Sequence, residues 1–224
     1  MLTRMIWPLV FGICGVAILV SLGVWQMQRL AWKESVLADI ETRIAAPPVA
    51  VPGVPDPVAD RYLPVEATGE VGEDFIRVLV SQRRIGAGYR VISPFETEGR
   101  RLLLDRGFVR VADAVPAAPA GAVRVTGNLH WPDEVTGATP APDTEANIWF
   151  ARDVPALARA FGTEPILLVA REMSEDEGAL TPLPVDTSGI PNDHLSYAIT
   201  WFSLALIWMG MTLYLLWRIR QRTI

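Results

Sequence analysis

The sequence predicts a membrane protein in which two transmembrane α-helices, one N-terminal and one C-terminal, flank a mainly antiparallel β-barrel or β-sandwich domain with one short helix. Residues 5–28 and 195–217 contain no charged side chain, and each run is long enough as a helix to cross a hydrocarbon core of about 30 Å. Between these runs, several segments alternate apolar and polar residues with the period of two that is typical of strands.

Residues 1–28 are expected to form a cytoplasmic tail and the first transmembrane helix. A cleaved signal peptide is the alternative, with Ser21-Leu22-Gly23 as a weak cleavage site. The apolar run is long for a signal peptide, and Arg4 alone would form its basic region, so a retained helix is favoured. A lipoprotein anchored at Cys14 is disfavoured because the bulky Ile13 precedes the cysteine.

Residues 29–60 are expected to form a helical extension followed by a proline-rich linker. Leu30, Leu37, Ile40 and Ile44 recur at helical spacing until Pro47, where the missing N–H ends the pattern. The extension should pack on the domain that follows. The stretch "AAPPVAVPGVPDPVAD" contains too many prolines for a helix or a central strand, which predicts an extended chain.

Residues 61–190 are expected to form the β-rich domain. Alternation is clearest in "FIRVLVSQR" and "AVRVTGNLHW", and further strands are predicted at 62–71, 89–96, 101–110 and 165–172. Gly86-Ala87-Gly88 and Glu98-Gly99 are expected in turns. The stretch "DVPALARAFG" predicts the short helix, with Asp153 as N-cap, Pro155 in the first turn and Gly162 at its end.

Residues 191–217 are expected to form the second transmembrane helix and residues 218–224 a basic cytoplasmic tail. Arg218, Arg220 and Arg222 follow the second span and Arg4 precedes the first, so the positive-inside rule predicts that both termini are cytoplasmic. Two basic residues just after the first span count against this orientation. An even number of spans places both ends on one side in either case.

The charge distribution excludes several classes of function. All 25 acidic residues and 16 of the 20 basic residues lie between the spans, which gives that segment a net charge of about −9 and makes a nucleic-acid partner improbable. A single cysteine excludes an intramolecular disulfide framework and a cysteine-rich metal site. There is no phosphate-binding glycine loop, and the acidic stretches "SEDEG" and "DTEAN" are expected to be solvated. The sequence therefore predicts no enzyme.

Only two histidines are available for catalysis or metal binding. His130 falls on the polar side of its predicted strand and is expected to face solvent. His194 begins the second span beside Asp193, and neighbouring residues on a helix do not face each other, so they make a poor catalytic dyad.

His194 is a candidate ligand for haem iron. On a helix it shares a face with Tyr197 and Trp201, and aromatic side chains can receive a flat macrocycle. The first span ends at the same level, and its Arg29 and Lys33 are candidate partners for haem propionates, with the ring between the two helices. The predicted site contains His194, as the metal ligand, with Trp25, Gln26, Arg29, Lys33, Tyr197 and Trp201.

A purely structural interpretation of His194 also remains open. Asn192 or Asp193 would cap the helix, His194 would lie in the headgroup region, and the tryptophans would form aromatic belts. Trp201 and Trp208 lie too deep for a belt, which favours a packing or ligand role.

Five stretches of the chain, in this order, together resemble the surfeit-locus-one family of cytochrome c oxidase assembly factors: "LGVWQMQRLAWK", "GYRVISPFETEGRRLLLDRGFV", "GNLHWP", "NIWFARDV" and "PNDHLSYAITWFSLA". The resemblance covers nearly the whole chain. Phe108 departs from it mildly, because the family usually has tryptophan after its Arg-Gly.

The resemblance implies a two-pass protein of the bacterial inner membrane, in contact with lipid, with its central domain in the periplasm. It also implies a role in maturing the haem-containing core subunit of the oxidase, with haem a bound at the matching His194. The core subunit is then the expected partner, and the haem a synthase is a second candidate. A second axial ligand would be absent, come from a partner, or be His194 of a second copy in a homo-oligomer.

Two rival hypotheses remain from other classes of function. The first is a haem-free membrane scaffold or chaperone for the oxidase core subunit, in which His194 is only interfacial. The second is a membrane enzyme acting on haem or another apolar substrate, which is disfavoured because the spans contain no second histidine and no acidic residue.

Overall fold

The computed structural model describes residues 2–82 and 86–221. Its elements in chain order are α1 Leu2–Ile44, β1 Val49–Ala50, β2 Pro64–Val71, β3 Ile76–Gln82, β4 Gly86–Thr97, β5 Arg100–Arg110, β6 Ala122–Leu129, β7 Ile148–Trp149, α2 Val154–Phe161, β8 Leu167–Met173 and α3 His194–Gln221. The chain divides into two compact units. We call Met1–Asp39 with Thr187–Ile224 the terminal unit, and Ile40–Asp186 the central unit.

The terminal unit consists of two long apolar helices. Both α1 and α3 are long and apolar enough to cross a membrane, which confirms the prediction of two apolar helices at the ends of the chain. α1 contains Pro8 and continues to Ile44, three residues before the proline expected to end it. Of the basic residues used for orientation, Arg222 and the side chain of Arg4 lie outside the described residues.

Glycines on α1 allow close contact between the two helices. A Cβ atom at Gly12 would lie 2.1 Å from Cγ2 of Thr212, and one at Gly23 would lie 2.6 Å from the Phe202 ring. As residue numbers increase along α1, the numbers of the contacting residues on α3 decrease, so the two helices are antiparallel. Small residues at such crossings let helix backbones approach, which is how apolar helices gain packing energy in a membrane.

The central unit contains one mixed sheet in the strand order β1-β2-β6-β8-β5-β4-β3-β7, and a two-residue pairing also joins β2 to β4. Among the described strands, three pairings are parallel, namely β1–β2, β3–β7 and β5–β8, and the rest are antiparallel. The prediction of a mainly antiparallel barrel or sandwich is therefore correct only in part. The short parallel strands β1 and β7 were not predicted, since two residues carry no periodic pattern.

Both faces of the middle strands are buried. Leu102 and Leu104 belong to one apolar cluster with Phe95 and Leu168, whereas Leu103 belongs to a second. This arrangement follows from strand geometry, because successive side chains point to opposite faces. The uninterrupted apolar runs in β5 and β8 therefore mark strands that are covered on both sides.

Local signals placed α2 and the β4–β5 turn correctly. The Asp153 side chain accepts a hydrogen bond from the Ala156 N–H, and Gly162 ends α2 in the left-handed conformation. Glu98 and Gly99 form a two-residue turn with positive φ at both positions. The prediction of a turn at Gly86-Ala87-Gly88 is wrong, because these residues begin β4.

Replacing Gly12 with leucine should weaken the helix pair, because the new side chain would overlap Thr212. Overpacking of this kind costs about 1–3 kcal/mol, so we expect a lower thermal midpoint for the full chain in detergent. Gly210→Leu on α3 is the matched control, since a Cβ there meets nothing within 4 Å. Equal midpoints for the two variants would contradict this packing.

Candidate functional site

His194 forms a hydrogen bond with a glutamine of the other helix. His194 is the first residue of α3, and its Nδ1 lies 2.8 Å from Oε1 of Gln26 on α1. Gln26 is only 8% exposed. It lies three residues after Gly23, on the face of α1 that touches α3. The polar pair therefore continues the contact seam made by the glycines.

This hydrogen bond defines what the imidazole can do. With the Gln26 amide oxygen as acceptor, Nδ1 carries a proton, and in the neutral imidazole Nε2 then has the lone pair. Metal-bound histidines are usually fixed in this way, through a hydrogen bond on the ring nitrogen that does not bind the metal. Gln26 was predicted as a cofactor contact, and the structure places it behind His194 as the residue that orients the ring.

The other predicted residues lie on either side of this pair. Trp25 is 51% and Tyr197 is 56% exposed, and Trp201 is half-buried. Tyr197 and Trp201 follow His194 by one and two helical turns, so they lie on its face of α3. The helix pair thus presents aromatic surface beside its one imidazole.

Two cations extend the same side of α1. Arg29 and Lys33 follow Gln26 by one and two helical turns. The Arg29 guanidinium lies over the Trp32 ring, with Cζ 4.3 Å from the ring centroid, and this cation–π contact orients it. Lys33 is half-buried.

The two helices are in direct contact one turn from Gln26, where the Phe202 ring lies against Gly23. The placement of a flat ring between the helices beside His194 stays a prediction. Two apolar grooves of about 400 and 360 Å³ lie farther along the pair, lined by residues 9–20 with 209–216 and by residues 15–19 with 204–211.

The donor set fits haem better than a bare metal ion. Within the described residues, no group of three or more His, Cys, Asp or Glu side chains could hold a metal ion. A metal bound by the single imidazole of His194 must bring its other ligands with it, as haem iron does through its four pyrrole nitrogens.

Comparison with known proteins assigns the chain to a family. The model of the SURF1 family matches residues 13–206. The chain belongs to the SURF1 family. A SURF1-like protein of Monosiga brevicollis is 32% identical over 216 residues, covering 87% of this chain and 82% of the relative. The SURF1-like protein of Rickettsia bellii is 30% identical, covering 92% and 88%, and human Surfeit locus protein 1 is 30% identical, covering 83% and 69%.

The central unit of this SURF1-family chain contains a buried charge cluster that the sequence did not predict. Asp105 is fully buried and forms an ion pair of 2.6 Å with Arg90 and a longer one of 3.7 Å with Arg152. Arg152 also pairs with Glu134 through its guanidinium and its backbone N–H. Burial alone would raise the pKa of Glu134, but Arg152 outweighs burial and holds it below the usual value.

A bulge in the sheet sends two successive charges to different partners. The register of β4 with β5 shifts at Val91/Ile92, and Arg106 is the extra residue. Asp105 reaches the charge cluster, whereas the buried Arg106 pairs with Glu177 at 2.7 Å. Glu177 was expected to be solvated as part of "SEDEG", which is wrong. Asp105 and Arg106 interrupt the apolar run of β5 from Leu102 to Val109, and this charged pair was the sequence signal for both contacts.

His130 lies beside this cluster and does not face solvent as predicted. It is half-buried, and its ring stacks on Tyr62 at 5.4 Å. Burial, followed by the charges of Arg152 and Arg61, lowers the pKa of His130 to about 4. The strand alternation misplaced it because the register of β6 with β8 shifts at Thr126/Gly127, after which three successive residues are buried.

Replacing Gln26 with leucine should release the His194 ring from its fixed tautomer. In ¹⁵N-histidine-labelled full-length protein, we expect wild-type His194 to show a protonated Nδ1 and an unprotonated Nε2, and Gln26→Leu to mix the two tautomers. Gln28→Leu, an exposed neighbour, is the control. Identical His194 spectra in wild type and Gln26→Leu would contradict the assigned hydrogen bond.

His130 should make the fold less stable in acid. Its folded pKa of about 4 lies below the ordinary 6.5, so the unfolded chain binds a proton first, and stability is lost as the pH falls from about 6.5 towards 4. Compared with His130→Gln, the wild type should lose on the order of 2 kcal/mol more between pH 7.5 and 4.5, after allowance for solvent screening. Urea unfolding at both pH values measures this difference, and parallel curves would contradict it.

Proposed function

We propose that this chain is an inner-membrane assembly factor for cytochrome c oxidase that holds haem a on His194 while the oxidase core subunit matures. Membership of the SURF1 family implies the role in oxidase assembly. The observation that carries the haem proposal is the 2.8 Å hydrogen bond that Nδ1 of His194 donates to Oε1 of Gln26, which leaves Nε2 of His194 available as a ligand atom.

In this proposal, α1 and α3 both cross the membrane. The N-terminal end of α1 and the C-terminal end of α3 are cytoplasmic, and the central unit is periplasmic. Apolar length and composition support insertion of both helices. Arg218 and Arg220 in the last turn of α3 support the cytoplasmic orientation. Gln26 and His194 then lie near the periplasmic surface, where a membrane ligand can enter from the side.

Each predicted residue has a role in holding the group. Haem iron accepts an imidazole nitrogen as an axial ligand, and Nε2 of His194 would supply it while Gln26 holds the ring. Tyr197, Trp201 and Trp25 would provide apolar contact. Arg29 and Lys33 would donate to propionate carboxylates, with Arg29 already oriented by Trp32.

The arrangement supports transfer rather than catalysis. A carrier must release its cargo when a partner offers better ligands, so we expect its affinity for haem to be moderate. Histidines of the oxidase core subunit would compete for the iron, and the haem a synthase is a candidate donor. His194 of a second copy is a candidate second ligand in a homo-oligomer.

A haem-free scaffold is the second candidate function, and the same hydrogen bond favours it. A polar pair across two apolar helices stabilises their association without any ligand. In that case His194 and Gln26 would only fix the helix pair, and the central unit would hold the oxidase subunit.

Haem content of the purified protein distinguishes the two functions. From cells that make haem a, we expect wild-type protein in detergent to show a haem a absorption spectrum and a pyridine haemochrome, and His194→Ala to lose at least about 90% of both because the iron has no other protein ligand there. His130→Gln removes the other histidine and should keep the haem.

Oxidase assembly is measured in the same cells for His194→Ala and His130→Gln, so that haem binding and assembly can be compared for each variant. Equal haem in wild type and His194→Ala would contradict the ligand role. Haem-free wild type from membranes rich in haem a, with assembly intact in His194→Ala, would favour the scaffold.

A further inference from the structure

The segment before β2 has a strained backbone at an aromatic residue. Tyr62 has φ +73°, a strained conformation that bulky side chains rarely adopt. Its N–H donates to the Leu129 carbonyl at 2.8 Å, and its own carbonyl accepts from the Asn128 side chain at 2.9 Å. These bonds hold the segment against the end of β6.

The strained position places Tyr62 and Arg61 beside His130. The Tyr62 ring stacks on the imidazole with an interplanar angle of 28°, and the His130 backbone N–H is fixed by the Leu167 carbonyl at 2.9 Å. Arg61, Tyr62 and His130 are each half-buried. The imidazole therefore has a set orientation, and all three residues keep part of their surface exposed.

Two donor atoms at this place have no partner. Within residues 2–82 and 86–221, Nε of Arg61 and Nδ1 of His130 are both buried without a hydrogen bond, although buried polar groups are normally satisfied. Arg61 also forms no ion pair with any described carboxylate; the nearby Asp60 accepts instead from the Asp56 N–H at 2.8 Å.

Three guanidiniums and two carboxylates lie around His130. Its neighbourhood contains the guanidiniums of Arg61, Arg90 and Arg152 and the carboxylates of Asp105 and Glu134. The two carboxylates are used by Arg90 and Arg152. Within the described residues, Arg61 has no carboxylate in an ion pair, and partly buried charges are normally paired.

We propose that Arg61 and His130 form a binding site for a single carboxylate. The Arg61 guanidinium provides the charge and the first N–H, and Nδ1–H of the neutral His130 provides a second donor to the other oxygen. A carboxylate supplies the one missing negative charge, whereas a phosphate dianion would leave an uncompensated charge. The site lies wholly within the central unit and is independent of the haem proposal.

Titration of the two imidazoles by NMR tests this site. Full-length ¹⁵N-histidine-labelled protein in detergent at pH 7 gives signals from His130 and His194 only, and His194→Ala assigns them. We expect the His130 ring nitrogens to shift saturably with sodium acetate but not with sodium chloride at equal ionic strength, while His194 stays unchanged.

Variants of Arg61 decide whether the shift comes from this site. Arg61→Gln should weaken acetate binding at least about tenfold, because it removes a charge-assisted hydrogen bond, and Arg61→Lys should recover part of it and show that the segment still folds. Arg110→Gln, at an exposed arginine of β5, should bind as wild type does. A linear shift, an equal shift with chloride, or equal saturation in Arg61→Gln would overturn the proposal.

Two larger probes identify the source of the carboxylate. N-acetylaspartate amide represents an acidic side chain of a partner protein, and decanoate, below its micelle concentration, represents the end of an apolar amphiphile. Whichever saturates the His130 shift at the lower concentration, in an Arg61-dependent way, assigns the ligand class. Failure of both, together with acetate, would leave only ordered water at the two donors.

Discussion

The hydrogen bond between Gln26 and His194 joins two helices that otherwise touch through glycines and apolar side chains. Gln26 is only 8% exposed, so its side chain has little access to water, and the hydrogen bond to His194 satisfies its amide oxygen. The glycine contacts bring the helices close enough for a bond of 2.8 Å, and the bond in turn fixes which ring nitrogen faces outward. Helix packing and ligand chemistry therefore depend on the same seam.

The central unit uses polar groups in a different way. Its sheet is apolar on both faces around β5 and β8, yet β5 carries Asp105 and Arg106 into the interior. Burying such charges is costly unless they are paired. The bulge meets this requirement by directing Asp105 to Arg90 and Arg152, and Arg106 to Glu177.

Local patterns in the sequence were sufficient for the elements that depend on local contacts. The cap residues of α2, the Glu98-Gly99 turn and the alternation in β3 involve neighbours within a few residues, so the sequence alone indicates them. The sequence also indicated that Gln26 and His194 lie at the same depth, because Gln26 is near the end of the first apolar run and His194 directly precedes the second.

Contacts between distant residues could not be found in this way. Glu177 appears solvated in sequence because Arg106 lies 71 residues away. Asn128 falls on the polar side of its strand, but the structure buries it beneath the carbonyls of Ile44 and Tyr62. A single register shift in β6 is enough to reverse such assignments, since one residue of slip moves side chains to the other face.

The two histidines show how the same side chain acquires different chemistry from its neighbours. His194 has one nitrogen bound to a neutral amide and lies on a helix pair with aromatic surface, which suits an apolar ligand that carries its own metal. His130 is half-buried among guanidiniums, and burial followed by their positive charges lowers its pKa to about 4. Within the described residues, its Nδ1 and the Nε of the nearby Arg61 both lack a hydrogen bond. Such a pair of donors suits a small anion. Neither role follows from the residue type; each follows from the number of charges and hydrogen bonds that the surrounding fold leaves unmatched.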